Sequence, residues 1–331
     1  MKKLISMLFL MPVIFTGMVH AQESYAEKLG FPRGAKVIIL HVDDLGMSVD
    51  SNLGAIKALE QGIATSGSLM MPCPWVPGFV AHMKDHPGLD VGLHLTLTSE
   101  WDNYRWGPVS GTETPTLRDQ EGKLYKSVED VVAHASPADV DKEIRAQLAL
   151  ARSMGVEPTH LDSHMGTLFA KREFLDSYIR LGIENGIPVM FPGGHDTEIL
   201  KSNPLARAMD DQMKSIGKQL WDAGLPVLDD LYNDSYGWPV PDSAKKNDRA
   251  LQHYRTYEYI NALKEIQPGL TMVIMHCTDP SPDFQYISDS GYTRKGDMLA
   301  MTDPALKKFI KENGIILTTW REVLEKRKSI K

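Results

Sequence analysis

Cysteine is scarce in this 331-residue chain: Cys73 and Cys277 are the only two. Two residues do not make the disulfide framework of a small secreted domain. Neither has the close-spaced partner that a structural zinc site uses, so both read as structural cysteines, free or joined in one bridge. Basic residues are also short. The formal net charge is −7 with no basic block, which excludes non-specific binding of nucleic acid or of anionic membrane and favours a small neutral or oligomeric substrate. Beyond residue 19 no apolar run approaches the roughly 20 residues of a spanning helix, so stable membrane insertion is not expected. Repeats, low-complexity tracts and Ser/Gly-rich linkers are missing as well.

The N-terminus is different. Met1-Lys2-Lys3 is followed by an apolar run from Leu4 to Val19, and Val19-His20-Ala21 ends in a small residue before polar Gln22-Glu23-Ser24. That is the layout of a secretory signal cleaved near Ala21. The expected organisation is a leader at 1–21 and one domain at 22–331, periplasmic or secreted.

Short β-branched runs alternate with helical patterns in the remainder. Strands are expected at Lys36–Val42, Gly67–Met71, Val91–Leu97, Thr159–His164, Pro188–Phe191, Pro226–Leu231, Thr271–His276 and Ile315–Thr319. Helices are expected at Asp50–Gln61, Val76–Asp85, Pro137–Met154, Arg172–Asn185, Pro204–Ala223, Asp248–Ile266 and Pro304–Asn313, several ending at a glycine stop such as Gly186 or Gly224. Strands separated by helices pair in parallel, and seven or eight such units favour an α/β fold of the (β/α) barrel type over an open sheet. In such barrels the chemistry gathers at the C-terminal strand ends.

The polar residues fall there. His41-Val42-Asp43-Asp44-Leu45-Gly46 closes the first strand with two carboxylates, which repel each other unless a cation lies between them or one is protonated. Read alone, the pair is equally a turn and helix-cap signal. Gly92-Leu93-His94-Leu95 sets a histidine in an apolar strand, ordinarily a satisfied core residue. In His160-Leu161-Asp162-Ser163-His164, residues 160, 162 and 164 share one strand face. Carboxylate and imidazole together suit zinc, with nickel, cobalt and iron as alternatives and magnesium less at home.

These segments resemble the YdjC/ChbG-type carbohydrate deacetylases, which are related to the NodB-like polysaccharide deacetylases. The likeness extends through Tyr292-Thr293-Arg294, Asp303-Pro304 and Gly314-Ile315. It implies a distorted, NodB/TIM-like (β/α) barrel that removes acetyl groups from N-acetylated sugars. It further implies that Asp44, His94 and His164 hold one divalent ion, that Asp43 is the base, and that His276 is an acid or substrate contact. Two positions depart from the family pattern: Gly166 where a further histidine is common, and Cys277-Thr278 where Pro-Gly usually follows the late histidine.

For the mechanism so implied, Asp229 or Asp230 is expected to orient His276, and Arg294 to hold a substrate oxygen or orient Asp43. Two aromatic loops, 99–108 with Trp101 and Trp106, and 233–239 with Trp238, offer rings that suit sugar faces. Asp162 is a further substrate-contact candidate. The competing readings are hydrolysis of another bond, an O-acetyl ester or phosphoester, and a non-catalytic sugar-binding protein.

Overall fold

A computed structural model describes residues 23–203 and 206–330; the expected leader at 1–21 lies outside the described residues. Among these, seven strands form one parallel sheet: β1 (Lys36–Leu45), β2 (Ser66–Leu69), β3 (Val91–Leu95), β4 (Leu161–Ser163), β5 (Asp230–Tyr232), β6 (Gly269–Met275) and β7 (Ile316–Leu317). Their order is β4-β3-β2-β1-β6-β5, with β7 on β1. β1 is the axis. Every residue after Lys36 is buried, as a strand covered on both faces requires. It pairs with β6 along its length, with β7 at its start and with β2 at its end.

Two isolated parallel bridges, Leu161↔Val189 and Pro192↔Leu228, carry the path from β4 round to the residues just ahead of β5. The result is a distorted (β/α) barrel. Full strands were expected at Pro188–Phe191 and Pro226–Leu231. Pro188, Pro192 and Pro226 have no N–H to donate, and the ladder there shrinks to bridges such as Leu161 N–H to the Pro188 carbonyl.

The helices Val76–Asp85 and Arg172–Asn185 form where periodicity places them, the second stopped by left-handed Gly186. Pro137–Ser153, Asp248–Glu265 and Pro304–Glu312 end one residue early. The stretch expected at Asp50–Gln61 is a helix, Val49–Ile56, that loosens into a π-helical turn, Lys57–Gln61. Among the described residues of the stretch expected at Pro204–Ala223, Asp210–Asp222 is α-helical. Among the described residues five further α-helices lie outside the expected ranges: Tyr25–Lys28, Val128–His134, Thr197–Ser202, Gly291–Met301 and Trp320–Ser329. Cys73 and Cys277 are both buried and free. No helix among the described residues is long and apolar enough to cross a membrane.

Asp229 and Asp230 stand at the start of β5, not its end, and this removes them from His276. The Asp229 carboxylate accepts N–H groups of Tyr25 at 2.7 Å, Ala26 at 2.9 Å and Leu270 at 2.8 Å. It ties the N-terminal turn Tyr25–Lys28 to β6. Asp230 accepts from Glu198 N–H at 2.8 Å. Replacing Asp229 by alanine strips three buried donors of their acceptor, so Asp229→Ala should cost about 3 kcal/mol of stability. Denaturant unfolding checks this; a loss below about 0.5 kcal/mol would contradict the tie.

Candidate active site

Alternation along β1 turns His41 and Asp43 to one face and Asp44 to the other. The strand does not keep that alternation. Its register with β2 slips between Val42 and Leu45, where Val42 faces Gly67 and Leu45 faces Leu69. Within this bulge Asp44 takes a left-handed conformation, φ 67°. Bulges re-aim side chains in this way, and here both carboxylates turn to one place. Gly46, φ 85°, continues the turn; a Cβ on it would meet Val76 Cγ2 at 2.4 Å. Ser48 then caps the next helix through the N–H of Ser51.

Asp44 Oδ1 lies 3.4 Å from His94 Nε2 and 3.4 Å from His164 Nδ1. These donors all lie within 4.8 Å of one another, and all three residues are buried. Asp44 Oδ1 has no hydrogen-bond partner. The other oxygen of Asp44 is occupied, accepting from Arg294 Nη1 at 2.7 Å. Arg294 was expected to hold a substrate oxygen or orient Asp43; the carboxylate it bonds is Asp44. The guanidinium also lies over the rings of Trp101 and Tyr236, 5.8 and 5.5 Å from their centroids.

Each imidazole is oriented by a further carboxylate. In the β3–β4 register His94 lies abreast of Asp162, and His94 Nδ1–H donates to Asp162 Oδ1 at 2.6 Å. That leaves the Nε2 lone pair to face Asp44. His164 Nε2–H donates to Glu100 at 3.0 Å, leaving Nδ1 free toward Asp44. Carboxylates behind ligating histidines fix tautomer and ring direction. Asp162 is therefore buried beneath His94 rather than at a substrate surface. Glu100 had not been singled out in the sequence.

The electrostatics favour a cation. Four carboxylates, Asp43, Asp44, Glu100 and Asp162, surround the two imidazoles, and the Arg294 guanidinium bonds Asp44. Burial alone would raise the Asp44 carboxyl, but Arg294 and His164 outweigh it and hold it well below the usual carboxylate range. Burial would lower His164, yet Glu100 and Asp44 push it up to about 10. A positive charge is wanted at that nitrogen, whether proton or metal ion. An orphaned buried oxygen facing two imidazole lone pairs fits a divalent ion with open positions left over.

Asp43 sits at the flank. Its Oδ2 is 3.8 Å from His94 Nε2 and 3.8 Å from His276 Nε2, and its Oδ1 is 3.1 Å from His41 Nε2. His41 is fully buried, 2.9 Å from Asp162 Oδ2, with Ser66 and Ser68 hydroxyls at 3.1 Å. Burial opposes its charge, but Asp162 and Asp43 overcome this and push His41 up to about 9. His160, expected beside His164, lies deeper, stacked on Trp320 at 5.1 Å. His276 is 4.0 Å from Asp44 Oδ2, and its backbone N–H donates to Asp297 at 3.1 Å. Burial and the Arg294 guanidinium, against the pull of Asp44, keep its imidazole below the ordinary value.

Among the aromatics, Trp106 is buried and donates to the Thr98 carbonyl at 2.9 Å, edge-on to Trp101. Trp238 packs on Tyr259 and Arg255 and lines a separate surface hollow with Glu198 and Glu258. Of the three, only Trp101 adjoins the carboxylate site, through Arg294. Among the described residues three other groupings could hold an ion. They are His41–His160–Asp162, deeper in the barrel; Asp43–His94–Asp162, which shares His94 with the Asp44 set; and Glu60–His82–His86, at the surface.

Glu100→Gln and Asp162→Asn should each weaken divalent-metal binding by about 10- to 100-fold, and Asp44→Asn should abolish it. Calorimetric titration with Zn²⁺ checks this. Wild-type affinity in Glu100→Gln would overturn the role given to that carboxylate.

The sequence profile of the family described as YdjC-like protein matches residues 37–312. The carbohydrate deacetylase of Thermus thermophilus is 30% identical over 299 residues, 90% of this chain and 97% of that one. The carbohydrate deacetylase of Clostridium beijerinckii is 32% identical over 291 residues, 86% of this chain and 99% of that one. A crystal structure from Enterococcus faecalis V583, described as a cellobiose-phosphate cleavage protein, superposes with a TM-score of 0.68 at 18% identity. It covers 87% of this chain and 99% of that one, and bears on the fold.

Proposed function

This chain belongs to the YdjC-like protein family, and on that premise we propose that it is an exported, metal-dependent carbohydrate deacetylase acting on N-acetylated sugars. One observation supports the reading above the rest: a second carboxylate, Asp43, stands free of Arg294 beside a buried Asp–His–His set whose inner oxygen is orphaned. A sugar-binding protein has no use for that flanking acid. Zinc suits the donor set best, with nickel, cobalt and iron as alternatives.

Asp44, His94 and His164 would hold the ion. When bound, it supplies a water of lowered pKa and polarises the carbonyl under attack. Asp43 takes the proton of the attacking water. An amine is a poor leaving group until protonated, so a proton must reach its nitrogen. Asp43 Oδ2 and His276 Nε2 lie 3.8 Å apart, close enough for a proton taken by one to be relayed through the other with a small movement. Arg294 holds Asp44 in place through its outer oxygen, and His41 holds Asp43 from behind.

Acetate release from a panel of N- and O-acetylated mono- and oligosaccharides tests the reading. With the metal-loaded protein, Asp43→Asn should lower kcat at least about 100-fold, the usual worth of a general base. His276→Ala should impair amide cleavage more than ester cleavage, because an alkoxide leaves without prior protonation more readily than an amine. Release unaffected by Asp43→Asn refutes the base, and inertness toward every acetylated compound refutes the enzyme.

A further inference from the structure

A cavity of about 610 Å³ opens against Asp43. Its floor is formed by Asp43 and Ser163, at the ends of β1 and β4. From the barrel side Met190, Phe191, Leu231 and Ile274 line it, and Met213 and Ile216 of the helix Asp210–Asp222 line it from across. Apolar side chains make up most of the lining; the polar ones are Asp43, Ser163, Asn203, Gln212 and Asn233, and the Ser163 hydroxyl is already engaged, accepting from Leu168 N–H at 3.0 Å. The wall formed by Met190, Phe191, Leu231, Ile274, Met213 and Ile216 offers a sugar ring no side-chain hydrogen-bond partner. The acetyl methyl occupies roughly the volume of one water, about 30 Å³. The cavity is far larger than an acetyl methyl needs, and its main wall is apolar.

The mouth carries the same character. Met165 and Met209 line it with 56% and 39% of their surface exposed. Met165 is held at φ 54°, a left-handed conformation that bulky residues rarely adopt. The backbone there is strained, and it holds a large flexible apolar side chain in water at the rim. Methionines are adaptable linings for flexible apolar groups.

We propose that this cavity is an aliphatic subsite, and that the substrate is an amphiphilic acylated amino sugar whose hydrocarbon chain lies along Met190, Leu231 and Met213 while the amide rests at Asp43. This rests on the deacylase reading above and narrows its substrate class. The chain has two chemical sources, an N-acyl group longer than acetyl or an alkyl aglycone on the sugar. Each buried methylene should raise kcat/KM about fourfold, up to the length the cavity holds.

The test compares three amides by release of free amine from the metal-loaded protein: methyl N-acetylglucosaminide, its N-octanoyl counterpart, and octyl N-acetylglucosaminide. At least one octyl compound should exceed the methyl parent by 30-fold or more in kcat/KM, and which one identifies the source of the chain. Met213→Trp fills the cavity, and Met209→Lys, at an exposed position that tolerates substitution, charges its rim. Both should bring the octyl-to-methyl ratio within about threefold of one. Octyl compounds no better than the parent, or a ratio untouched by both variants, overturn the subsite.

A binding measurement separates this from the activity. Octyl glucoside, which has no amide, should bind below its micelle-forming concentration by calorimetry, equally in wild type and Asp43→Asn and at least tenfold more weakly in Met213→Trp. Such binding without turnover of any amide would sink the deacylase reading and leave the subsite standing. Acetate release without octyl glucoside binding would do the reverse.

Discussion

The backbone turn at Asp44 governs this structure. A regular strand would send Asp43 and Asp44 to opposite faces of the sheet, one toward the site and one into packing. The bulge against β2 and the left-handed residue within it bring both to the same imidazole: His94 Nε2 is 3.4 Å from Asp44 Oδ1 and 3.8 Å from Asp43 Oδ2. A left-handed non-glycine residue costs about 1 kcal/mol, and the surrounding contacts offset it. Arg294 locks Asp44 from above, and Gly46 gives the chain room to leave past Val76.

Below that turn, polar groups descend through the barrel interior in a column. Asp44 meets His94, His94 meets Asp162, and Asp162 meets His41 and, at 3.6 Å, His160. Trp320 closes the bottom by stacking on His160. So many buried ionisable groups are unfavourable unless each is paired. Most are. Asp43 Oδ1, Asp44 Oδ1 and Asp162 Oδ2 accept no hydrogen bond; the first and last lie 3.1 and 2.9 Å from His41 Nε2, and a cation beside Asp44 Oδ1, between His94 and His164, would complete the set. The same column gives His41 its work: it neutralises Asp162 and stands 3.1 Å from Asp43, restricting the acid that the chemistry would use.

Much of this was legible in the residues. Alternating strands and helices announced the barrel, and Asp43, Asp44, His94, His164 and His276 do converge, because strand ends on one side of a parallel barrel share a rim. What was illegible has physical causes. Strand segments opening in proline looked like ladders but could not donate. The helix Gly291–Met301 carries Gly291, Gly296 and Asp297 and little apolar periodicity, yet it delivers Arg294, whose partner depends on a 250-residue separation no local pattern encodes. Glu100 sits in an irregular aromatic loop, and only its position behind His164 gives it meaning. Asp229 and Asp230 seemed to end a strand that in fact begins there. Trp106 and Trp238 illustrate how readily loop aromatics become packing rather than binding surface.

Asp44, His94 and His164 would grip one divalent ion through Oδ1, Nε2 and Nδ1 respectively. The most direct measurement is anomalous X-ray diffraction from crystals grown with zinc. The expected result is a strong peak about 2.0–2.2 Å from each of those three atoms, with Glu100 and Asp162 still bonded to the opposite ring nitrogens. A main peak at Glu60–His82–His86, or none between Asp44 and the two imidazoles at saturating zinc, would contradict it.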